Sequence, residues 1–219
     1  MVVRYPFLVS GEIYHVFSRA IESRTIFRDH NDYKRMEITL FYYIYSRPSL
    51  RLSEYLKRLK SERQNQFLPQ SGEKLVKVIC YCLMPNHIHL VLQQVEEKGI
   101  SIYTGKVLNS YARYFNEKYK RKGPLWEPRF KNVKVESNEQ LLHLTRYIHL
   151  NPVTAFIVDK PEEWKFSSYK EYLGEKGNCE FEEFIESSPE EYRNFVHDRI
   201  SYQRELNKIK ALIMEDLSS

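Results

Sequence analysis

The sequence has little of what marks disulfide-rich, zinc-ribbon or membrane proteins. Its 219 residues include three cysteines, two of them Cys80 and Cys82, so the count is odd and no CxxC pair occurs. Neither a disulfide framework nor a zinc ribbon is therefore indicated, and a reducing compartment fits. No stretch approaches the roughly 18 consecutive apolar residues that a membrane helix requires.

The N-terminal stretch MVVRYPFLVSGEIYHVF also lacks the order of a signal peptide, which runs from charged through apolar to small residues. We therefore expect a soluble, intracellular protein that does not enter a membrane. At 42% hydrophobic residues, a chain of this length is sufficient for one main core.

Charge is distributed unevenly along the chain. Residues 175–219 contain 11 acidic and 6 basic groups, so a chain with a net charge of +5 carries its positive excess in residues 1–174. We predict one main domain over residues 1–174, with an insertion at about 47–74. Residues 175–219 are predicted to form an acidic helical C-terminal extension.

Basic and aromatic residues alternate within 101–135, where nine Lys or Arg residues accompany only two glutamates. Basic groups neutralise phosphates and aromatic faces stack on unpaired bases, so this mixture suits a single-stranded nucleic acid. A solvated helix face above an aromatic core gives the same pattern. The candidate phosphate contacts are Arg113, Lys120, Arg121, Lys122, Arg129 and Lys131.

Hydrophobic periodicity and turn residues predict alternating strands and helices. The predicted strands are 12–18, the hairpin of 75–83 and 87–95, and 129–135. The first predicted helix runs from Asp29 or Asn31 to about 46, a short helix lies within 47–74, and another covers 100–120. The last predicted helix runs from Ser137 to near Asn151, because Pro152 disfavours helical geometry in the residue before it. This order predicts an α+β fold of ferredoxin-like type, with a central antiparallel sheet flanked by helices.

The segment Met84-Pro85-Asn86-His87-Ile88-His89-Leu90 contains the sharpest chemical signal. His87 and His89 begin a strand two positions apart, so their side chains project from the same face while Ile88 and Leu90 project from the other. Their Cβ atoms then lie roughly 6 to 7 Å apart, within reach of one metal ion. Two histidines that chance has placed on a half-exposed strand remain the alternative.

The last predicted helix of the main domain places His143, Tyr147 and Asn151 at successive four-residue steps, on one stripe. The adjacent apolar stripe consists of Leu141, Leu144 and Ile148. If that stripe packs on the sheet, Tyr147 and Asn151 face the histidines. A phenol, with a pKa near 10, is a poor nucleophile until a nearby cation assists it. An ordinary surface tyrosine is the alternative.

Four segments resemble the single-tyrosine transposases of the HUH class, and they are most similar to the REP-associated tyrosine transposases. They are YHVFSR at 14–19, YCLMPNHIHLVL at 81–92, YARYFNEKY at 111–119 and RYIHLNPV at 146–153. The resemblance covers about residues 10–174. It implies a ferredoxin-like HUH domain that cleaves single-stranded DNA beside a hairpin, forming a 5′-phosphotyrosine and releasing a 3′-hydroxyl that can reverse the reaction.

The resemblance also implies roles for individual residues. His87 and His89 match the metal-binding histidines, and Tyr147 matches the nucleophile. Related enzymes often have a glutamine as third metal ligand four residues after the tyrosine, where this chain has Asn151, so the third ligand is an open point. Mg²⁺ or Mn²⁺ is the implied metal, and Mn²⁺ fits imidazoles better.

The implied partner is single-stranded DNA with hairpin structure. The protein is expected to be cytoplasmic and nucleoid-associated, and to act as a monomer or a homodimer. Three other functions stay open. One is a non-catalytic nucleic-acid binder, and a second is a metal hydrolase that activates water. The third is an interaction protein that docks through the apolar residues of its tail, Phe195, Ile200, Leu206, Ile209 and Leu212.

Other side chains compete for roles at the site. Tyr111, Tyr114 and Tyr119 are alternative nucleophiles, although their basic surroundings suit base stacking or core packing better. His15, on the first strand, either borders the metal site or is an ordinary sheet residue, and we assign it no role.

Overall fold

Four antiparallel strands form the centre of the molecule, and helices cover both faces of the sheet. The computed structural model describes residues 8–48, 50–61 and 72–205. The strands are β1 (Ile13–Arg19), β2 (Val76–Met84), β3 (His87–Gln94) and β4 (Lys131–Lys134). The helices are α1 (His30–Tyr42), α2 (Leu52–Ser61), α3 (Gly99–Lys118), α4 (Asn138–Thr154), α5 (Tyr169–Tyr172) and α6 (Pro189–His197).

The strand order β2-β3-β1-β4 confirms the predicted fold class. Helices α1 and α2 lie in the connection from β1 to β2, and the tight turn at Pro85 and Asn86 returns the chain as β3, which inserts between them. Helix α3 then leads to β4 at the far edge, beside β1. This is the ferredoxin-like α+β arrangement.

The sheet separates two apolar cores. Helices α1 and α3 cover one face, where Leu40 and Val107 pack with Leu90 of β3. Helices α4, α5 and α6 cover the other face, where Ile148 packs with Val91 of β3. Because β2 and β3 are buried on both faces, their sequences are continuous apolar runs instead of alternating ones.

Helix α1 begins at its predicted cap, because the Asp29 side chain accepts from the backbone N–H of Asp32 at 3.0 Å. It ends four residues earlier than predicted. The reason is that the backbone after it pairs with the segment before β2: Leu75 N donates to Ile44 O at 2.8 Å, and Ser46 N donates to Glu73 O at 2.8 Å.

The predicted end of α4 near Asn151 is wrong, because the helix continues through Pro152 to Thr154. Proline has no N–H, so it leaves the carbonyl of Ile148 without its usual helical donor. The Asn151 side chain compensates, since its Nδ2 lies 3.4 Å from that carbonyl and 3.0 Å from the carbonyl of Tyr147.

The predicted extension packs on the α4 face of the sheet over the part that the structure describes. Glu180 N donates to the carbonyl of Val78 in β2 at 2.8 Å, and Lys77 pairs with Glu183. Tyr192 of α6 is buried against α4. A boundary at residue 174 stays a prediction. Leu206, Ile209 and Leu212 lie outside the described residues, as do 49 and 62–71 of the insertion.

Across residues 8–48, 50–61 and 72–205, no helix combines the length and the apolar character that crossing a bilayer requires.

A buried carboxylate joins α1 to the end of α3. Asp32 accepts hydrogen bonds from Lys118 Nζ at 2.7 Å, from Tyr119 Oη at 2.7 Å and from Tyr114 Oη at 3.0 Å. The backbone N–H of Arg28 also donates to it, at 2.9 Å. Burial raises the pKa of Asp32, but these hydrogen bonds outweigh burial and hold it below the ordinary value.

We expect Asp32→Ala to lower the free energy of unfolding at pH 7 by about 3 kcal/mol, measured by urea denaturation. The change removes the acceptor of two tyrosine hydroxyls and leaves Asp29 as the remaining acidic partner of Lys118. Glu182→Ala, at an exposed position, is the control, with an expected change within about 0.5 kcal/mol.

The Asp32→Ala variant also tests how the stability of the protein depends on pH. Because the folded-state pKa of Asp32 is depressed, its contribution is present above the ordinary carboxyl pKa of about 4 and is lost as the pH falls below it. The stability difference between wild type and variant should therefore shrink on acidification. Equal stability at pH 7 would show that the network contributes nothing.

Candidate active site

His87 and His89 begin β3 directly after the Pro85–Asn86 turn, and both face the α4 side of the sheet. Their ring centroids are 4.9 Å apart and the ring planes are nearly perpendicular, at 86°. Ile88 and Leu90 lie in the core on the opposite face, as the alternation predicted. The turn therefore sets two imidazoles side by side at one end of the sheet.

Each imidazole is oriented through its Nδ1 atom. Asn86 Nδ2 donates to the carbonyl of Ser23 at 3.1 Å, which turns Asn86 Oδ1 toward His87 Nδ1 at 2.6 Å. His89 Nδ1 lies 2.9 Å from His15 Nε2. When each Nδ1 donates in its hydrogen bond, both Nε2 atoms keep a free lone pair. Such outer contacts fix the tautomer and the ring orientation of metal-binding histidines.

Both histidines are held in the neutral form. Burial lowers the pKa of His87 to about 4, and the positive charge of Arg19 acts in the same direction. Burial lowers the pKa of His89 well below its ordinary value, with smaller contributions from His15, His87 and Arg19. Neutral imidazole is the form that ligates metals, so the pair is ready to bind one near pH 7.

Helix α4 presents Tyr147 and Asn151 to the histidines. The Tyr147 ring lies 6.0 Å from the His89 ring, at 82°, and the side chain is 43% exposed. Partial burial raises the pKa of Tyr147, while Arg19 opposes this, so the phenol is neutral near pH 7. His143, on the same predicted stripe, instead contacts Arg146 at 2.7 Å and does not line the cleft.

His87, His89, Tyr147 and Asn151 line a cleft of about 540 Å³ at the end of the sheet. Arg19 lies opposite His87 in the β1–β3 register and lines the same cleft. Glu127, Lys131 and Gln203 also line it. The cleft is thus a polar site that brings two imidazoles, a phenol and an amide together with basic groups.

Sequence reasoning missed several of these residues. Local sequence patterns do not indicate Arg19, Glu127 or Gln203. They mark Asn86 only as a turn residue and leave the role of His15 open. The segment HVFSR places His15 and Arg19 four residues apart on one strand, which is a usable signal. Only the pairing register shows that they flank His89 and His87.

The two imidazoles alone do not complete a site for a divalent metal. Within the described residues, no group of three or more His, Cys, Asp or Glu side chains could hold a metal ion. A metal at His87 and His89 would therefore need an amide oxygen, water or substrate oxygens. Asn151 fits this need, because its Nδ2 donates to the helix backbone while Oδ1 remains an acceptor on a residue that lines the cleft. Such a mixed set suits Mn²⁺ or Mg²⁺.

The six candidate phosphate contacts do not form one patch. Lys131 lines the histidine cleft, whereas Arg113 and Arg129 line two adjoining clefts beside α3. Arg121 Nη2 donates to the carbonyl of Pro124 at 2.7 Å, so it stabilises its own loop. Two further candidates, exposed at the end of α3, are Lys120 and Lys122.

The alternative tyrosines have hydroxyl groups engaged elsewhere. Tyr111 is buried and donates to the carbonyl of Ile26 at 2.7 Å. Tyr114 and Tyr119 both donate to Asp32. None of the three lines the histidine cleft.

Comparison with known families assigns a chain with this fold and cleft to a class of DNA-processing enzymes, the transposases. The model of the family described as "Transposase IS200 like" matches residues 13–151, which is well over half of the chain and includes both histidines and Tyr147. The chain belongs to this IS200-like transposase family. The resemblance seen in the sequence is thereby confirmed.

Two known proteins show the relationship in more detail. A curated protein of Haemophilus influenzae, described as a REP-associated tyrosine transposase, is 25% identical over 130 residues, which are 54% of this chain and 73% of the relative. The solved structure of a REP-associated tyrosine transposase bound to a REP hairpin matches with a TM-score of 0.51 and 14% identity. That match covers 86% of this chain and 93% of the solved one, and it supports the fold alone.

We expect the His87 imidazole of metal-free protein to titrate with a midpoint of about 4, measured by NMR and assigned with His87→Gln. Because this pKa is lowered on folding from the ordinary 6.5, the native state loses stability as the pH falls from about 6.5 toward 4. A midpoint near 6.5 would show that the cleft does not hold the ring neutral.

Proposed function

We propose that this transposase cleaves and rejoins single-stranded DNA beside hairpins, in a divalent-metal-dependent reaction with Tyr147 as nucleophile. The observation that carries the proposal is the meeting of Tyr147 with the paired neutral histidines in one cleft, with 6.0 Å between the Tyr147 and His89 rings. The solved relative bound to a REP hairpin supports hairpin-bearing DNA as the substrate.

A neutral phenol needs a cation to become an effective nucleophile toward an anionic phosphodiester. Arg19 suits this task, because it lines the cleft beside Tyr147 and forms no ion pair with a carboxylate among the described residues. Its guanidinium can pair with two oxygens of the scissile phosphate. Lys131 also lines this cleft, where Glu127 lies 4.0 Å from its Nζ and offsets part of its charge.

His87, His89 and Asn151 would hold the divalent metal. When bound, Mg²⁺ or Mn²⁺ supplies Lewis-acid neutralisation of the charge that develops on the phosphate oxygens. The residues of the chain orient the reactants, since β3 fixes the imidazoles and α4 fixes the phenol, and both elements are anchored in the buried core.

In the reaction, Tyr147 Oη forms a bond to phosphorus while the bond from phosphorus to the 3′-oxygen breaks. The phenol proton passes to solvent and the departing 3′-oxygen takes a proton from solvent, so no net proton is consumed. The products are a 5′-phosphotyrosine and a free 3′-hydroxyl. Since the tyrosyl linkage is still a phosphodiester, a 3′-hydroxyl can attack it and rejoin the strands without a nucleotide cofactor.

Tyr147→Phe should abolish the covalent adduct between the protein and a labelled hairpin-bearing single-stranded DNA in the presence of Mn²⁺, read on a denaturing gel. The change removes the attacking oxygen and leaves the ring. Tyr202→Phe is the matched control, because Tyr202 is similarly exposed, at 49% compared with 43%, and should leave the adduct unchanged.

The same gel separates the alternatives. Cleavage that leaves no adduct and survives Tyr147→Phe would mean that the site activates water as a metal hydrolase. Binding without cleavage over a range of hairpins would mean a non-catalytic binder. A homodimer and association with the nucleoid stay predictions.

His15→Ala should weaken Mn²⁺ binding by about 10 to 100 fold, measured by isothermal titration calorimetry on the DNA-free protein. The variant removes the hydrogen bond to His89 Nδ1 and so frees the ring to rotate. His143→Ala is the control, because this histidine does not line the cleft. Unchanged affinity in His15→Ala would remove His15 from the site.

A further inference from the structure

Among the residues that the structure describes, one carboxylate lines the histidine cleft, that of Glu127. The cations of the cleft, Arg19 and Lys131, suit an anionic phosphodiester, whereas a negative charge at the same place repels it. No step of the proposed reaction uses Glu127. A group that opposes binding of the substrate can still raise the rate, provided that it acts only as the phosphate reacts.

Backbone pairing and a buried tryptophan hold Glu127 at the end of β1. The backbone N–H of Glu127 donates to the carbonyl of Arg19 at 2.9 Å. The preceding residue, Trp126, is buried, and its Nε1 donates to the carbonyl of Leu108 in α3 at 3.1 Å. Glu127 therefore enters the cleft from a rigid part of the sheet, as a reacting group requires.

The Glu127 carboxylate keeps its capacity to accept a proton. Its Oε2 lies 4.0 Å from Lys131 Nζ, which is beyond hydrogen-bond length, and the Lys131 side chain is 66% exposed. Such an exposed ion pair is weak. Within residues 8–48, 50–61 and 72–205, the carboxylate accepts no hydrogen bond. Because the Glu127 side chain is itself 37% exposed, a proton that it takes can pass on to solvent.

The other groups of the cleft are poor acceptors for a proton. His87 and His89 use Nδ1 in hydrogen bonds, and their remaining lone pairs are the ones that a divalent metal would use. The two cations have no lone pair to offer, and amides and hydroxyls are too weakly basic. Among the described residues that line the cleft, Glu127 is therefore left to accept the proton of the Tyr147 phenol.

We propose that Glu127 is the catalytic base that takes the proton of Tyr147, directly or through one water, as the phenol attacks the phosphate. The proposal rests on the proposed reaction. The Tyr147 proton moves to a Glu127 oxygen while Tyr147 Oη bonds to phosphorus and the bond from phosphorus to the 3′-oxygen breaks. The 3′-oxygen takes a proton from solvent and Glu127 releases one to solvent, so protons balance. In the rejoining step, a carboxylic acid at Glu127 gives its proton to the departing Tyr147 oxygen.

Glu127→Gln removes the base and keeps the shape of the side chain. At saturating hairpin-bearing DNA with Mn²⁺, we expect the rate of adduct formation to fall by about 100-fold, read on a denaturing gel. The affinity for this DNA, measured by fluorescence anisotropy with EDTA present, should stay equal or rise up to about fivefold, because a repulsive charge is gone. A lower rate with equal or tighter binding distinguishes a base from a residue that only holds the cleft together.

Glu12→Gln is the matched control. Glu12 also pairs with a lysine of β4, Lys134, at 3.1 Å, and its side chain is 41% exposed. It does not line the cleft, so the rate and the DNA affinity should both stay unchanged.

Isothermal titration calorimetry with Mn²⁺ separates a base from a metal ligand. Within the described residues, Glu127 forms no metal-binding group with the two histidines, so Glu127→Gln should bind Mn²⁺ as wild type does. A loss of about tenfold in Mn²⁺ affinity would make Glu127 a contact of the metal and would overturn the proposal.

Added formate tests whether the reaction needs a carboxylate at this position. In Glu127→Ala the shortened side chain leaves space for formate, which should raise the rate of adduct formation by about tenfold relative to chloride at equal ionic strength. Formate should not help Glu127→Gln, whose side chain fills the same space. A slow Glu127→Ala protein that formate does not rescue would mean that Glu127 acts through the shape or charge of the cleft, and the proposal would be wrong.

The outcomes for Glu127 and for the reaction are distinguishable. If wild type forms the Tyr147 adduct and Glu127→Gln forms it at the same rate, the reaction stands and the proposed base fails. If wild type forms no adduct with any hairpin tested, the reaction and the base fail together.

Discussion

The site depends on the antiparallel register between β1 and β3. This pairing sets Arg19 opposite His87 and Phe17 opposite His89, and it brings His15 diagonally within 2.9 Å of His89. Side chains alternate between faces with a period of two, so a slip of one residue would turn Arg19 and His15 into the opposite core. The apolar residues of both strands oppose such a slip, because Val16 and Leu90 must stay buried under α1 and α3.

A second constraint fixes helix α4 over the paired strands β1 and β3. His149, two residues after Tyr147, is fully buried, and its ring contacts Tyr192 Oη at 2.8 Å and Ser168 Oγ at 2.9 Å. Burial lowers its pKa to about 3, so the ring stays neutral and can use one nitrogen as donor and the other as acceptor. Helix α4 therefore turns the Tyr147 side chain toward solvent and buries the His149 side chain among hydrogen-bond partners. The buried His149 fixes the position of the Tyr147 phenol.

Much of the fold was predictable, because it depends on patterns within single segments. The MPN turn and its two apolar flanks predicted the β2–β3 hairpin, and Asp29 and Ser137 predicted where two helices begin. The helix ends were harder. Tertiary pairing of Ile44 and Ser46 shortened α1, and the Asn151 side chain allowed α4 to continue past Pro152.

The candidate site was predictable only in part, because a sequence pattern relates residues within one segment and not residues of distant segments. His87 and His89 share one strand and Tyr147 and Asn151 share one helix, so spacing alone places each pair on one face. Glu127 and Gln203 enter the cleft from distant parts of the chain, and no local spacing connects them to the histidines. Arg121, which composition indicated as a phosphate contact, is instead engaged by its own loop.

The sheet also separates two polar surfaces of different character. The cleft on the α4 side combines imidazoles, a phenol and one guanidinium in about 540 Å³, which suits a single reacting phosphate. The helix layer on the other side offers an open stripe with dispersed cations. The acidic residues Glu180 and Glu183 of the C-terminal segment pair with Lys74 and Lys77 near the edge of the sheet, so the acidic carboxylate beside the cations of α3 is Glu117.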